Sequence, residues 1–204
     1  KSASGSFTMI NSTFINNTAE LYGGAMYGNS VLESVFIGNT AKSHAGAVFN
    51  AYVVNCNFTN NYAPNGGPLG GESYSAQNCL FENNHADDGG AMYGGAAYYC
   101  TFRNNYAHQG GAKFSGDAVS CIFDNNKAVS NGGAIMETYA VTCNFTYNTA
   151  INGGAMYQDS ALQCLFMFNS AVNGGALCSA FSNSCKFYNN TASKQGGAIS
   201  EGGA

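Results

Sequence analysis

Apolar and polar positions along the chain follow one pattern that returns every 21 to 23 residues. Each repeat has a phenylalanine, an asparagine three residues later, an alanine five residues later and, in most repeats, the triplet Gly-Gly-Ala. A fixed period of this length indicates a solenoid, in which each repeat forms one coil and contacts only its neighbours. The phenylalanines that define the nine coils are Phe14, Phe36, Phe58, Phe81, Phe102, Phe123, Phe145, Phe166 and Phe187.

The segment that leads to each phenylalanine has the alternation of a β-strand. The positions two and four residues before the phenylalanine are mostly apolar, and the position between them is mostly polar. Because strand side chains alternate between faces, we expect those two positions and the phenylalanine to face inward. The position two residues before the phenylalanine is a cysteine in seven coils: Cys56, Cys79, Cys100, Cys121, Cys143, Cys164 and Cys185.

The asparagine three residues after the phenylalanine has no substitute in any coil. Asparagine suits the left-handed backbone of a turn, but so do other residues, so a turn alone does not explain this column. Stacked asparagine side chains can hydrogen-bond amide to amide between coils and satisfy polar atoms that face the interior. The predicted ladder consists of Asn17, Asn39, Asn61, Asn84, Asn105, Asn126, Asn148, Asn169 and Asn190.

A nearly uniform aliphatic column follows the Gly-Gly-Ala triplet, and we place it in the core because its volumes match from coil to coil. Lys113 occupies this column and argues against that placement. The next column is largely aromatic and would face outward as a candidate binding stripe; with the opposite alternation it would be core. This stripe contains Tyr27, Tyr93, Phe114 and Tyr157, together with Phe49.

Short strands between asparagine and glycine corners at this period predict an all-β fold, a right-handed parallel β-helix of about nine coils. The hand follows the general rule for parallel crossover connections. Coils stacked about 4.8 Å apart would give a rod of roughly 43 Å. Leucine-rich repeats share the period, but their leucine-asparagine signature is missing.

Composition narrows the classes of protein that fit. Charged residues are 9% of the chain, the net charge is −4 and Arg103 is the sole arginine, which excludes nucleic-acid binding. No apolar run approaches the ~20 residues of a membrane helix, so we expect no membrane insertion by this segment. The repeat shows no break, and the chain starts at a lysine and stops within a repeat. We therefore expect residues 1–204 to form one domain that is a processed product or part of a longer repeat protein.

The pairing of Phe-x-x-Asn with Gly-Gly-Ala-aliphatic resembles two families. Phe102-Arg103-Asn104-Asn105 shows the first motif, and Gly89-Gly90-Ala91-Met92 and Gly132-Gly133-Ala134-Ile135 show the second. In register, the two motifs are similar to the repeats of chlamydial polymorphic outer-membrane proteins and of adhesin-like surface proteins of methanogenic archaea. The resemblance implies an extracellular β-helix at the cell surface with an adhesive or structural role. No autotransporter barrel follows the repeats in this sequence, so the resemblance does not say how the chain is attached.

The cysteine column has a structural explanation and two chemical ones. Cysteine is a small apolar residue that can pack in a ladder, and we prefer this structural interpretation. Disulfides between coils are disfavoured because side chains in register point the same way. We expect no metal site and no cofactor, because zinc-type ligand spacing is missing. Cys178 lies outside the column, seven residues before Cys185, and this pair is the candidate disulfide.

Other polar residues offer modification sites and surface charges rather than chemistry. Glu82, Arg103 and Asp124 share an outward column on successive coils, which predicts an exposed ion-pair ladder. His44, His85 and His108 fall in different columns and form no evident site. Asn-x-Ser/Thr sequons, the acceptors of N-glycosylation, begin at Asn11, Asn16, Asn57, Asn144 and Asn189.

Three functions are weighed against these residues. A polysaccharide-active β-helix enzyme would need facing carboxylates or a basic cluster in a cleft. Asp87 and Asp88 are the adjacent acids here, and they suit a solvated corner. The coil lengths are nearly uniform, so no long loop is available to form the wall of a cleft. We therefore expect no catalysis. An extracellular, non-catalytic surface or adhesin-like rod that contacts a glycan or a protein fits best. The alternative is a subunit that stacks end to end with itself into an extracellular filament or sheath.

Overall fold

The computed structural model describes residues 7–71 and 74–201, all of them in strands, turns and irregular segments. Every strand pair in it is parallel, and the strands of successive coils lie over one another. The predicted β-helix is confirmed as an all-β solenoid of about nine turns. Residues 1–6, 72–73 and 202–204, which include both ends of the predicted domain, lie outside the described residues.

One side of the solenoid is a nine-stranded sheet that carries the phenylalanines. Each phenylalanine is in register with those of the adjacent coils, as Phe81 is with Phe58 and Phe102. The strands are Thr13–Ile15, Val35–Ile37, Asn57–Thr59, Leu80–Glu82, Thr101–Arg103, Ile122–Asp124, Asn144–Thr146, Leu165–Met167 and Lys186–Tyr188.

A 16-stranded sheet forms the second side and receives two short strands, or one longer strand, from each coil. In two coils these segments form one longer strand each, Lys113–Val119 and Ile135–Val141. The others are Thr8–Ile10, Met26–Tyr27, Ser30–Leu32, Val48–Phe49, Tyr52–Val54, Leu69–Gly70, Ser75–Gln77, Met92–Tyr93, Ala96–Tyr98, Met156–Tyr157, Ser160–Leu162, Leu177–Cys178, Phe181–Asn183 and Ile199–Ser200.

The third side is held by short strand pairs and single bridges, such as Tyr62 with His85 and His85 with Tyr106. The strand pairs are Thr18–Ala19 with Thr40–Ala41, Tyr106–Gln109 with Lys127–Asn131, and Ser170–Asn173 with Thr191–Gln195. No helix in the described part of the chain is long and apolar enough to cross a membrane.

The core is a set of columns that run along the rod. The phenylalanine rings stack with centroids 4.7 to 5.0 Å apart and planes within 9° of parallel. The aliphatic column faces inward as predicted, with Val48, Leu69 and Met92 fully buried. Parallel stacking at this spacing removes both faces of every inner ring from water, which stabilises each coil on the next.

The prediction for the segment before the phenylalanine was partly wrong. It is two strands with a corner between them, not one strand, because the residue three before the phenylalanine has a left-handed backbone. Glu33 has φ 51° and Tyr99 has φ 55° at this corner. The kink resets the alternation, so Val31, five residues before Phe36, is buried, whereas Leu32 is half-exposed.

The asparagine column forms a continuous ladder of hydrogen bonds. The Asn105 side-chain oxygen accepts bonds from the backbone N–H of Asn84 at 3.0 Å and from its side-chain amide at 3.1 Å. The Asn105 amide in turn donates to the carbonyl of Phe81 at 2.9 Å and to Asn126 Oδ1 at 3.1 Å. Aspartate would lack the two donors, which explains why this column has no substitute.

The cysteine column also makes hydrogen bonds, beyond the packing role predicted for it. The backbone N–H of Cys121 donates to Cys143 Sγ at 3.4 Å, and Cys143 Sγ lies 3.3 Å from the carbonyl of Val141. In the first two coils Ser12 and Ser34 use a hydroxyl for the same pattern, with the Ser12 N–H 3.0 Å from Ser34 Oγ. The column therefore requires a small side chain that accepts an N–H at the corner, and a thiol or a hydroxyl serves.

The candidate disulfide between Cys178 and Cys185 was wrong: both thiols are free. Cys178 lies in the outer column, in register with Tyr157, whereas Cys185 continues the inward ladder below Cys164. The corner that begins at Ser179 separates the two faces. Burial raises the pKa of both thiols, so neither is a thiolate at neutral pH.

Candidate binding surface

The aromatic column next to the aliphatic one faces outward, and side chains from a second column join it. Tyr22 lies 4.6 Å from Phe49 and 5.6 Å from His44, measured between ring centroids. Tyr27 lies 5.4 Å from Phe49. Tyr27 is 63% exposed and Tyr22 40%. These four residues and two more, Tyr93 and Phe114, form a surface that we call the aromatic patch. Its six members are Tyr22, Tyr27, His44, Phe49, Tyr93 and Phe114.

The structure brings together three of the four residues predicted for the stripe. Tyr93 and Phe114 stack with centroids 5.2 Å apart and planes 4° from parallel, and Tyr27 joins them through Phe49 and His44. Tyr157 lies apart, because Met136 stands between it and Phe114 in the register. Gly70 interrupts the column between Phe49 and Tyr93.

Sequence reasoning missed the second column of the patch. Tyr22 and His44 share it with Asn65, Asp88 and Gln109, each bridged to the next. The column changes from aromatic in the first two coils to polar in the later ones. An alignment of the residues just before each Gly-Gly-Ala or its equivalent would have revealed this change. Tyr22 and His44 differ there from the amides and acids of the later coils.

In the later coils this same column is an outer amide ladder. Asn152 Nδ2 donates to Asn131 Oδ1 at 3.0 Å, and Asn131 Nδ2 donates to Gln109 Oε1 at 3.4 Å. Gln109 Nε2 donates to Asp88 Oδ1 at 3.3 Å. Partial burial raises the pKa of the Asp88 carboxyl, and Asp87 beside it is exposed. The Asp87-Asp88 pair is therefore part of a solvated corner with one acid in the ladder.

A second group of exposed aromatic residues lies on the third side of the solenoid. His85 stacks between Tyr62 at 5.4 Å and Tyr106 at 4.9 Å. Two of the three histidines thus lie against aromatic rings, although the sequence shows the three in unrelated columns. This stack presents ring edges to solvent, because the rings lie over one another along the rod.

Two aromatic residues lie at corners that normally hold asparagine. Tyr147 and Phe168 have φ 56° each and stack with centroids 5.1 Å apart. They are 54% and 42% exposed. A left-handed backbone is unfavourable for bulky side chains, and the stack between the two rings offsets part of that cost.

Lys113 is the buried charge in the described core. Its ammonium donates to the carbonyls of Gly94 and Gly95 at 2.7 Å each and to that of Ser115 at 2.5 Å. Gly94, Gly95 and Ser115 all have positive φ, a geometry that turns these carbonyls inward. Burial lowers the pKa of Lys113 to about 7. The side chain is thus held by backbone oxygens in the core, and the objection it raised to an inward column does not hold.

The remaining predicted surface features lie on the outside of the rod. Arg103 lies 3.6 Å from Glu82 and 3.9 Å from Asp124, so the ion-pair ladder is formed with long, exposed contacts. All five sequon asparagines are exposed, namely Asn11, Asn16, Asn57, Asn144 and Asn189. Their glycosylation stays a prediction.

Comparison with known families finds a similar repeat. A family model, the Chlamydia polymorphic membrane protein repeat, matches residues 120–136 and residues 184–200. Both matches run from a corner residue, through the strand with Phe123 or Phe187, to the outer column after Gly-Gly-Ala. The suspected resemblance to the chlamydial repeats is therefore confirmed in two coils, in the same register in each, and the resemblance to archaeal adhesin-like proteins stays a prediction. No curated protein and no solved structure matches the chain.

Proposed function

We propose that this chain is a surface-associated β-helix, placed outside the cell, that attaches to a glycan or protein through its aromatic patch. The match to the Chlamydia polymorphic membrane protein repeat supports a surface-associated β-helix as the general class. The adhesive role goes beyond that match and rests on the patch itself.

The observation that carries the proposal is the exposure of the patch. The regular residues of the repeat are accounted for by stacking between coils in the inward columns. Tyr22 and Tyr27, in contrast, contribute little to the core and expose large apolar surfaces. Contiguous exposed aromatic rings with a polar rim are typical of interaction surfaces. A rod that presents such a surface along its side can meet a second surface without any cleft.

The test is binding of the fluorescently labelled protein to a glycan array and to immobilised extracellular-matrix proteins. We expect binding that the double variant Tyr22→Ser/Tyr27→Ser reduces by about tenfold or more, as for loss of interface anchor residues. Tyr188→Ser is the matched control, because Tyr188 is 51% exposed and lies on the nine-stranded sheet.

Equal binding by wild type and the double variant would contradict the proposal, and so would no binding to either surface. Circular dichroism of each variant must show the wild-type fold. Since the two substituted tyrosines are largely exposed, we expect no loss of structure.

A further inference from the structure

We propose that one outward face of the 16-stranded sheet docks a second copy of this chain, so that two rods pair side by side. This apolar face consists of the residues four and six positions before each core phenylalanine. In the third coil these are Tyr52 and Val54, on either side of the buried Val53. The left-handed corner at Asn50 separates them from Phe49 of the aromatic patch, so the inference concerns a different surface and goes beyond the adhesive function.

The apolar character of this face has no explanation in the fold. The residue four positions before the phenylalanine is apolar or aromatic in seven of the nine coils, with Gln77 and Asn183 as the exceptions. The structure turns this column outward, and none of its residues is buried; Leu32 is half-buried and Tyr98 is 37% exposed. Outward strand positions that the core does not use are free to be polar. A continuous apolar row at such positions therefore indicates a surface that is covered by a partner.

The face is also nearly free of charge. Of the residues in its two columns, all of which the structure describes, Asp117 alone is charged. The nine-stranded sheet differs, because Glu82, Arg103 and Asp124 follow one another on its outer side. Each chain carries a net charge of −4, which opposes association in general. Contact through the apolar face is the arrangement in which two copies bring no rows of like charge together.

The coils stack with little rotation, which keeps the face flat. The planes of core phenylalanine rings in adjacent coils differ by only 4 to 9°. Neighbouring strands in ordinary sheets rotate by roughly 20 to 25°. Because each coil turns as a unit, the small rotation applies equally to the strands of the apolar face. The face is therefore a flat ribbon along the rod.

Flatness and period favour a second copy as the occupant. The face repeats with the coil, and the core rings show that one coil step is 4.7 to 5.0 Å. A twisted sheet from another protein would diverge from this ribbon after a few strands. A second copy is equally flat and has the same step, so the two faces match along their whole length. They would pack about 10 Å apart, with the same residues contributed by both copies across a twofold axis.

The size of the face sets the expected strength of the pair. The measured coil steps give the nine coils a length of about 39 Å, and two columns with their side chains are about 14 Å wide. The pair would bury about 1,100 Å² in total, which lies at the low end for specific interfaces. We therefore expect a reversible dimer with a Kd on the order of 10 μM.

The test measures association by sedimentation velocity at about 1 to 300 μM protein. We expect Val119→Lys/Val141→Lys to weaken the dimer by at least about tenfold, because a twofold pair would bury each new ammonium group twice. Ile37→Lys/Met167→Lys is the matched control and should dimerise as wild type does. Its two positions are also apolar, outward and half-buried, but they lie on the nine-stranded sheet.

Small-angle X-ray scattering distinguishes a side-by-side pair from end-to-end stacking. A side-by-side dimer should keep nearly the maximum dimension of one rod, whereas an end-to-end dimer would double it. Circular dichroism of each variant must show the wild-type fold. Tyr98→Ser/Tyr139→Ser removes two exposed rings from the face and serves if the lysine variant fails to fold.

A wild-type chain that stays monomeric over the whole concentration range would overturn the proposal. A dimer of doubled length would also overturn it, and so would equal dimerisation by wild type and the face variants, or an equal loss in the control on the nine-stranded sheet. Tyr22→Ser/Tyr27→Ser should dimerise as wild type does. Its loss of array binding with an intact dimer would show that the adhesive function and the pairing stand or fall separately.

Discussion

Two aromatic columns run along this rod, one inside and one outside, and they differ in regularity. The inner column repeats phenylalanine in all nine coils, with every adjacent pair of rings stacked. The outer column begins with Tyr27 and Phe49, is interrupted by Gly70, and later changes to Met136 and Cys178.

The difference separates what the fold requires from what it permits. An inner ring has neighbours above, below and beside it, so any other side chain leaves a cavity or a clash. An outer ring has solvent on one side, so the residue type at that position can vary to suit a ligand. Regular inner columns therefore report stacking, and irregular outer columns are where recognition can reside.

The largest test of this contrast uses two glycines, one packed against backbone of the next coil and one in the outer column. A Cβ at Gly154 would lie 2.1 Å from the carbonyl oxygen of Gly175. We expect Gly154→Ala to lower the free energy of unfolding by about 4 kcal/mol, because backbone must move in two coils. Gly70→Ala should change it by less than about 0.5 kcal/mol. Urea unfolding followed by circular dichroism measures both, and equal losses would refute the contrast.

The next test compares the two amide ladders. Asn105→Ala removes four hydrogen bonds and leaves the buried N–H of Asn84 without its acceptor. We expect a loss of about 3 kcal/mol. Asn131→Ala, in the half-exposed outer ladder, should cost about 0.5 to 1 kcal/mol because water can replace its partners. A loss for Asn131→Ala as large as that for Asn105→Ala would show that the outer ladder also holds the coils together.

Lys113 tests the inner region through pH. Its pKa in the folded chain is about 7, below the ordinary value of 10.5, so between these values the unfolded chain holds a proton that the folded chain has released. Stability therefore rises with pH in this window. Relative to Lys113→Met, we expect wild type to gain about 1 to 3 kcal/mol from pH 7 to about pH 10. Parallel stability curves for the two proteins would contradict the assigned pKa.

Much of this fold could be predicted from the sequence because stacking repeats the same local problem in every coil. Phe102, Asn105 and the glycine pair each solve one such problem, and each appears as a column. The corner before the phenylalanine escaped prediction because its left-handed residue varies from Asn11 to Glu33 to Tyr99 and has no common chemistry.

The candidate site could be predicted only in part, for a related physical reason. Tyr27, Tyr93 and Phe114 belong to one column and are visible in an alignment of the coils. The aromatic patch also includes Tyr22 and His44, which come from another column. Contacts between columns depend on how the corners turn, which the repeat alone does not specify.

The smallest expected effect belongs to the outer charges, which complete the comparison. Arg103 contacts Glu82 and Asp124 at 3.6 and 3.9 Å with half of its side chain exposed. Exposed pairs of this length are screened by water and salt, so Arg103→Ala should change the free energy of unfolding by less than about 0.5 kcal/mol. Urea unfolding at low and high salt should show this small difference vanish as salt increases. A larger loss that persists in high salt would mean that this outer column is structural, and regularity would then no longer mark the boundary between stacking and recognition.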